Sequence, residues 1–203
     1  MERNVSSRPS GFWGLFATFA VAVCTLSGVL AGCAADDYAS VFATSGDGAQ
    51  AGVPDGFEEA EVVRVVDGDT LQVYLNGEKQ KVRLIGINCP ESVATDESRN
   101  TAEGRDASGF THELLSEGDV VWLQSDVNDT DQYDRLLRYV WIEAPANPYN
   151  EDEVAAKMLN AILVAEGFAE ARVYGADDLY ADVLDDLERE AVANERGVSY
   201  MWA

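Results

Sequence analysis

The stretch VVRVVDGDTLQVYLNGEKQKVRLIGI, residues 62–87, leaves the backbone few options. Val62, Val63, Val65 and Val66 form an apolar run that reads as a strand, and the Asp67-Gly68 pair after it reads as a turn. Leu71, Val73 and Leu75 then alternate with polar or aromatic neighbours, the period-two pattern of a strand buried on one face. Asn76-Gly77 supplies two residues that tolerate positive φ, as a two-residue hairpin turn needs. Residues 78–87 return as a third strand. A meander of three strands follows, and its register is set by the turn.

Beyond the meander, Ala102, Ala107, Phe110, Leu114 and Leu115 fit a helix from about Ser98 to Ser116, with Gly118 just past its end. DVVWLQ and LLRYVWIE, residues 119–124 and 136–143, read as a fourth and fifth strand around the polar loop SDVNDTDQYDR. Asn150 with Glu153 has the spacing of a capping box, and it opens a helix whose Val154, Met158, Ile162 and Ala165 share a face before Gly167. A last helix, about Asp177 to Asn194, carries Tyr180, Leu184, Leu187 and Ala191. Residues 58–203 therefore predict an α+β domain, a five-stranded antiparallel barrel of the OB type with three helices. A closed sheet of that kind leaves few exposed edges.

The N-terminus reads differently. Arg3 and Arg8 precede 21 residues without a charge, residues 11–31, which is the layout of a secretory signal over residues 1–32. Leu30-Ala31-Gly32-Cys33 resembles the lipobox of bacterial lipoproteins, which implies cleavage before Cys33 and lipidation of its sulfur. A plain transmembrane anchor is the other reading, because about 20 apolar residues cross a bilayer. Both keep the arginines cytoplasmic and put the rest of the chain outside. The lipobox reading locates the protein on the extracytoplasmic side of the cell membrane, with later release left open. Residues 33–57 are rich in Ala, Gly, Ser and Asp without periodicity and read as a flexible tether.

Loss of residues 1–32 leaves 12 bases and 36 acids, a net charge of -24. Of the three cysteines only Cys33 and Cys89 remain, and a lipidated Cys33 cannot pair. The fold then rests on its core rather than on a disulfide. Cys89 reads as small apolar filler rather than as a nucleophile.

VVDGDTLQV, VRLIGINCPES and DQYDRLLRYVW, in that order and separated by one helix and one strand, resemble the thermonuclease (staphylococcal nuclease-like) family of calcium-dependent phosphodiesterases. The likeness spans about residues 60–202. It implies that Asp69, Asn88 and the Cys89 carbonyl hold Ca2+, with Asn88 standing where most members carry an aspartate. It implies that Arg83 and Arg135 hold the scissile phosphate and that Glu91 is the general base. Tyr133, and Tyr174 farther on, would lie along the nucleotide. The activity implied is endonucleolytic hydrolysis of DNA and RNA with little sequence preference, breaking the bond to the 5'-oxygen and leaving 3'-phosphates. The partners expected are these nucleic acids and the membrane, through the lipid anchor; no protein partner is expected.

The same residues make chemical sense on their own. Cleaving a phosphodiester brings a nucleophile to a group already negative, so cations must be positioned beforehand. Arginine meets phosphate oxygens with two parallel hydrogen bonds and stays charged. A hard cation accepts carboxylate, amide and main-chain oxygens alike, and a carboxylate beside the phosphate can orient and deprotonate water. Taken singly, Asp67-Gly68-Asp69 is also ordinary turn chemistry, with Asp67 a support behind the ligands or a turn former rather than a ligand itself, and Arg83 with Glu91 is also an ordinary ion pair. His112 reads as a surface or packing residue. The replacement at position 88 removes one negative charge from the metal site, and Asp134, next to Arg135, is placed to compete for its guanidinium. The acidity of the whole chain opposes polyanion binding, although residues 61–92 carry five acids against four bases while residues 151–203 carry thirteen against four. The alternative function is a non-catalytic OB-fold module that binds nucleic acid or protein at the cell surface.

Overall fold

The computed structural model describes residues 55–203. The expected signal, the lipidation site at Cys33 and nearly all of the tether lie outside the described residues. The meander forms as its sequence dictates. Strand β1 (Phe57–Asp67) turns at Gly68 and Asp69 into β2 (Thr70–Leu75), which returns as β3 (Glu78–Leu84). Asn76 and Gly77 make the hairpin turn with φ of 52° and 83°. Leu71, Val73, Val82 and Leu84 point into the core, and Tyr74, Lys79 and Lys81 point out. The domain starts one residue earlier than expected. Phe57 is buried and packs edge-on against Trp141, ring centroids 5.9 Å apart.

Strand β4 (Ile87–Asn88) is followed by a loop, a 3-10 turn at Glu97–Arg99 and helix α1 (Ala102–Leu114). Strands β5 (Val120–Gln124) and β6 (Leu136–Trp141) complete a closed barrel in the order β1-β2-β3-β6-β5. The barrel is mixed rather than antiparallel, because β3 and β6 pair in parallel. Parity requires this: around a closed ring, directions cannot alternate when the number of strands is odd. Side-chain periodicity reports which face of a strand is buried and is blind to its direction.

The helix expected after Asn150 is two helices, so the domain has four. Helix α2 (Glu151–Lys157) stops at Met158, whose backbone is extended and bridges Trp141, and α3 (Leu159–Ala165) starts again behind it. The break resets the buried face. Leu159, Asn160, Ala161, Leu163 and Val164 are buried after it, while Ile162 and Ala165 are only half-buried. The Asn150 side chain caps α2 by accepting from the Glu153 N–H at 2.9 Å. Glu153 does not reciprocate as a capping box would; its carboxylate accepts from the Ala146 N–H at 2.7 Å. A short strand β7 (Glu170–Ala171) pairs antiparallel with β4, an element too brief to leave a period in the sequence. Helix α4 (Ala181–Ala193) lays Leu184 and Ala191 on the core. Among the described residues no helix is long and apolar enough to cross a membrane.

One buried polar residue ties the helices to the barrel. The Asn160 carbonyl oxygen accepts from the Val140 N–H at 2.9 Å, and its amide donates to the Ile85 carbonyl at 2.8 Å. Asn160→Leu deprives both backbone groups of their partner inside the core. Each such loss costs about 1–3 kcal/mol, so a urea titration should show a midpoint well below that of the wild type with little change in slope.

Candidate active site

The turn between β1 and β2 presents Asp69 to the end of β3. Its backbone carbonyl accepts from the Leu84 N–H at 2.9 Å. Its carboxylate is almost fully buried, accepts hydrogen bonds from the Cys89 N–H at 2.9 Å and the Thr70 hydroxyl at 3.1 Å, and forms an ion pair with the Arg83 Nη2 at 3.0 Å. Burial pushes this carboxyl up from its ordinary range, and the charge of Arg83 offsets only part of that. Arg83 is held as firmly. Its Nη1 donates to the Leu84 carbonyl at 2.8 Å, and its Nη2 donates to the Ile87 carbonyl at 3.2 Å and the Asn88 Oδ1 at 3.4 Å. The Arg83 Nε has no hydrogen-bond partner among the described residues and is left for a ligand.

Glu91 follows β4 and is clamped at its backbone. Its carbonyl accepts from the Thr101 N–H at 2.9 Å, at the start of α1. The close approach there needs a glycine: a Cβ on Gly104 would lie 2.1 Å from the Glu91 oxygen. On the other side Asp67 accepts from the Ser92 hydroxyl at 2.6 Å and from the Gly68 N–H at 2.9 Å, which is the turn-forming part read for it in the sequence. The Glu91 carboxylate itself is half exposed and pairs with Arg99 at 3.2 Å.

Arg135 sits at the end of the loop between β5 and β6. Asp131, not Asp134, is its partner: the Nε donates to the Asp131 Oδ2 at 2.7 Å and Nη2 lies 2.6 Å from the same oxygen. Asp134 takes a left-handed φ of 60° at the tip of the turn and faces solvent. Asp131 also accepts from the Tyr133 N–H at 2.8 Å, so one carboxylate shapes the loop and aims the guanidinium. The Arg135 guanidinium lies 5.6 Å from the centre of the Tyr133 ring, which is 71% exposed. The Tyr174 hydroxyl donates to the Asn88 Oδ1 at 3.4 Å.

These elements enclose a cleft of about 560 Å³, and Asp69, Arg83, Glu91, Tyr133, Arg135 and Tyr174 all line it. Asn88 and Cys89 are not among its lining residues, and Asn88 instead lines a separate small pocket with Pro90, Glu170, Met201 and Trp202. Asn88 meets the cleft through its contacts with Arg83 and Tyr174, and Cys89 through its N–H on Asp69. The Cys89 thiol is buried against Gly68, and burial followed by the charge of Asp69 pushes it well up from its ordinary value, which leaves it inert as a nucleophile. His112 is exposed on α1. Among the described residues no three His, Cys, Asp or Glu side chains converge as a metal cluster. Asp69 and Asn88 nevertheless both contact the Arg83 Nη2, which sets one carboxylate and one amide oxygen on the same guanidinium. Oxygen donors around an incompletely compensated buried carboxylate fit a hard cation of the calcium class. Sequence reasoning missed Asp131 and Arg99; the four-residue step from Asp131 to Arg135 was the available signal for the first.

The family model described as staphylococcal nuclease homologue matches residues 81–203. The thermonuclease of Staphylococcus hyicus is 32% identical over 148 residues, covering 72% of this chain and 79% of its own. The thermonuclease of Staphylococcus intermedius is 34% identical over 130 residues, 64% and 69% of the two chains. Endonuclease YncB of Bacillus subtilis (strain 168) is 31% identical over 156 residues, 73% and 67% of the two chains.

Burial raises the Asp131 carboxyl, but the hydrogen bonds from Arg135 and Tyr133 outweigh it and hold the carboxyl below its ordinary value. A depressed folded-state pKa stabilises above the unfolded value, about 3.9, and that contribution fades as pH falls through the folded value. Asp131→Asn should therefore flatten the loss of stability in the most acidic part of an acid titration followed by circular dichroism.

Proposed function

The chain belongs to the staphylococcal nuclease homologue family, and from that membership we infer that it is a nuclease, a hydrolase of phosphodiester bonds. We propose further that cleavage depends on calcium, takes DNA and RNA with little sequence preference, and occurs at the outer face of the membrane to which a lipidated Cys33 tethers the domain. The observation that carries the reading is that Arg83, Glu91 and Arg135, distant in sequence, line one cleft.

The cleft's chemistry follows from its charges. A phosphodiester entering it exposes two anionic oxygens to guanidinium groups that are already fixed, Arg83 by Asp69 and Arg135 by Asp131. Fixed cations stabilise the charge that builds on those oxygens without reorganising at the moment of reaction. Glu91 orients a water and takes its proton as the water oxygen bonds to phosphorus and the bond to the 5'-oxygen breaks, and the departing alkoxide takes a proton from solvent to leave as the 5'-hydroxyl. To do so it exchanges part of its contact with Arg99 for the water, and its half-exposed position permits that. Asp69, Asn88 and the Cys89 carbonyl would hold the calcium ion, which when bound adds positive charge beside the phosphoryl oxygens. Tyr133 and Tyr174 offer ring faces at the cleft wall for the sugar or base.

The test is digestion of single-stranded DNA by the purified protein with calcium and with a chelator. The chelator should abolish cleavage, Glu91→Gln should lower kcat on the order of 100-fold or more, and Arg135→Ala should cost roughly 100- to 1,000-fold. Cleavage that ignores all three changes would overturn the assignment, and calcium-independent binding without turnover would favour the non-catalytic module. For the anchor, Cys33→Ser should move the protein from the membrane fraction to the medium.

A further inference from the structure

Three cross-strand rows run over the outer face of the β1–β2–β3 meander. Asp67, Thr70 and Arg83 form the row at the cleft. Arg64, Gln72 and Lys81 form the next, and Glu61, Tyr74 and Lys79 the last. Successive rows are two residues apart along β3, about 6.8 Å. Arg83, Lys81 and Lys79 therefore make a ladder of positive charge, unbroken by any bulge in the β2–β3 pairing, and Lys81 as well as Arg83 lines the cleft. In β1 the register shift between Val62 and Arg64 brings Arg64 onto the same face, where its Nε donates to the Gln72 side-chain oxygen at 3.1 Å.

The pairing of the basic residues sets this face apart. Of the twelve basic residues described, Arg83, Arg99, Arg135, Arg138, Lys157, Arg172 and Arg189 stand in ion pairs with carboxylates. Three of the five that do not are Arg64, Lys79 and Lys81. In a chain with 37 acids and 14 bases, unneutralised positive charge is scarce, and most of it lies on this face. Tyr74, 40% exposed, stands between Glu61 and Lys79 with the Lys79 Nζ 5.1 Å from its ring centre. Glu61 closes the far end of the strip.

We propose that Arg64, Gln72, Tyr74, Lys79 and Lys81 form a second binding site, a track for the backbone of single-stranded nucleic acid continuing out of the cleft. The inference rests on the reading of the cleft as the seat of a nucleic-acid phosphate. The lysines and Arg64 neutralise successive phosphates, and the Gln72 amide adds a neutral donor beside them. Tyr74 offers a stacking face for an unpaired base, which a duplex does not supply. Screening over about 8 Å at physiological salt hides the acidic helices from a strand lying here.

The experiment compares the wild type with Arg64→Gln/Lys79→Gln, using fluorescence anisotropy of a long oligothymidylate in chelator across a salt titration, and calcium-dependent turnover of a dinucleotide too short to leave the cleft. The slope of log affinity against log salt should fall by about 1.4, roughly 0.7 for each lost contact, while dinucleotide turnover is unchanged. Lys79→Arg, which keeps the charge, should bind as the wild type does. Tyr74→Leu should weaken the oligonucleotide on the order of 10-fold and leave inorganic polyphosphate binding unchanged. An unaltered salt slope, or a Tyr74→Leu loss shared equally by polyphosphate, overturns the track. Failure of the wild type to cleave either the dinucleotide or the long oligothymidylate with calcium, with the salt slope still responding to Arg64→Gln/Lys79→Gln, overturns the nuclease reading and leaves the track standing.

Discussion

Burying the Asp69 carboxylate constrains everything around it. A carboxylate removed from water must find hydrogen bonds or an opposite charge inside the protein, and Asp69 finds them on three separate pieces of chain: a hydrogen bond from Thr70 in its own turn, an ion pair with Arg83 at the end of β3, and a hydrogen bond from the Cys89 N–H at the start of the Cys89–Glu91 segment. The same contacts that solvate the carboxylate therefore set the direction of Arg83 and the point from which Glu91 departs. Its compensation is incomplete, since burial still raises the carboxyl beyond what Arg83 offsets. A site with that residual demand for positive charge is suited to a divalent ion.

The two arginines of the cleft illustrate a common constraint. Each is held still by a carboxylate, and on the function proposed above each keeps donors for a phosphate. Arg83 has its partner in the turn two strands of chain away, and Arg135 has its own four residues upstream in a loop. Glu91 sits in the reverse arrangement, a carboxylate steadied by Arg99. Thirteen acids of the chain fall in residues 151–203, against four bases there, while Arg64, Lys79 and Lys81 on the meander face stand outside the ion pairs.

Local features were readable from sequence where the chain's own covalent geometry decides them. Asn76-Gly77 specified a hairpin because few dipeptides adopt its angles, and the alternation of Leu71, Val73 and Val82 specified the buried face. The four-residue step from Asp131 to Arg135 was visible, but the choice of Asp131 over Asp134 was not readable, since Asp134 is nearer in sequence and only the turn at φ 60° sends it away. The break at Met158 was hidden because Val154, Met158 and Ile162 keep helical spacing across it. What breaks the helix is a bridge to Trp141, seventeen residues upstream.

By itself the sequence determined which face of each strand of the meander is apolar, because side-chain type and periodicity are properties of the chain alone. It determined the hairpin for the same reason. Only the tertiary structure decided that β3 and β6 run parallel, that Asn160 joins α3 to the barrel, that Arg99 and Asp131 partner the residues of the cleft, and that Arg64 reaches the face of Lys79 and Lys81. Those outcomes depend on closing a ring with an odd number of strands and on satisfying buried polar groups across it, and neither condition exists until distant segments meet.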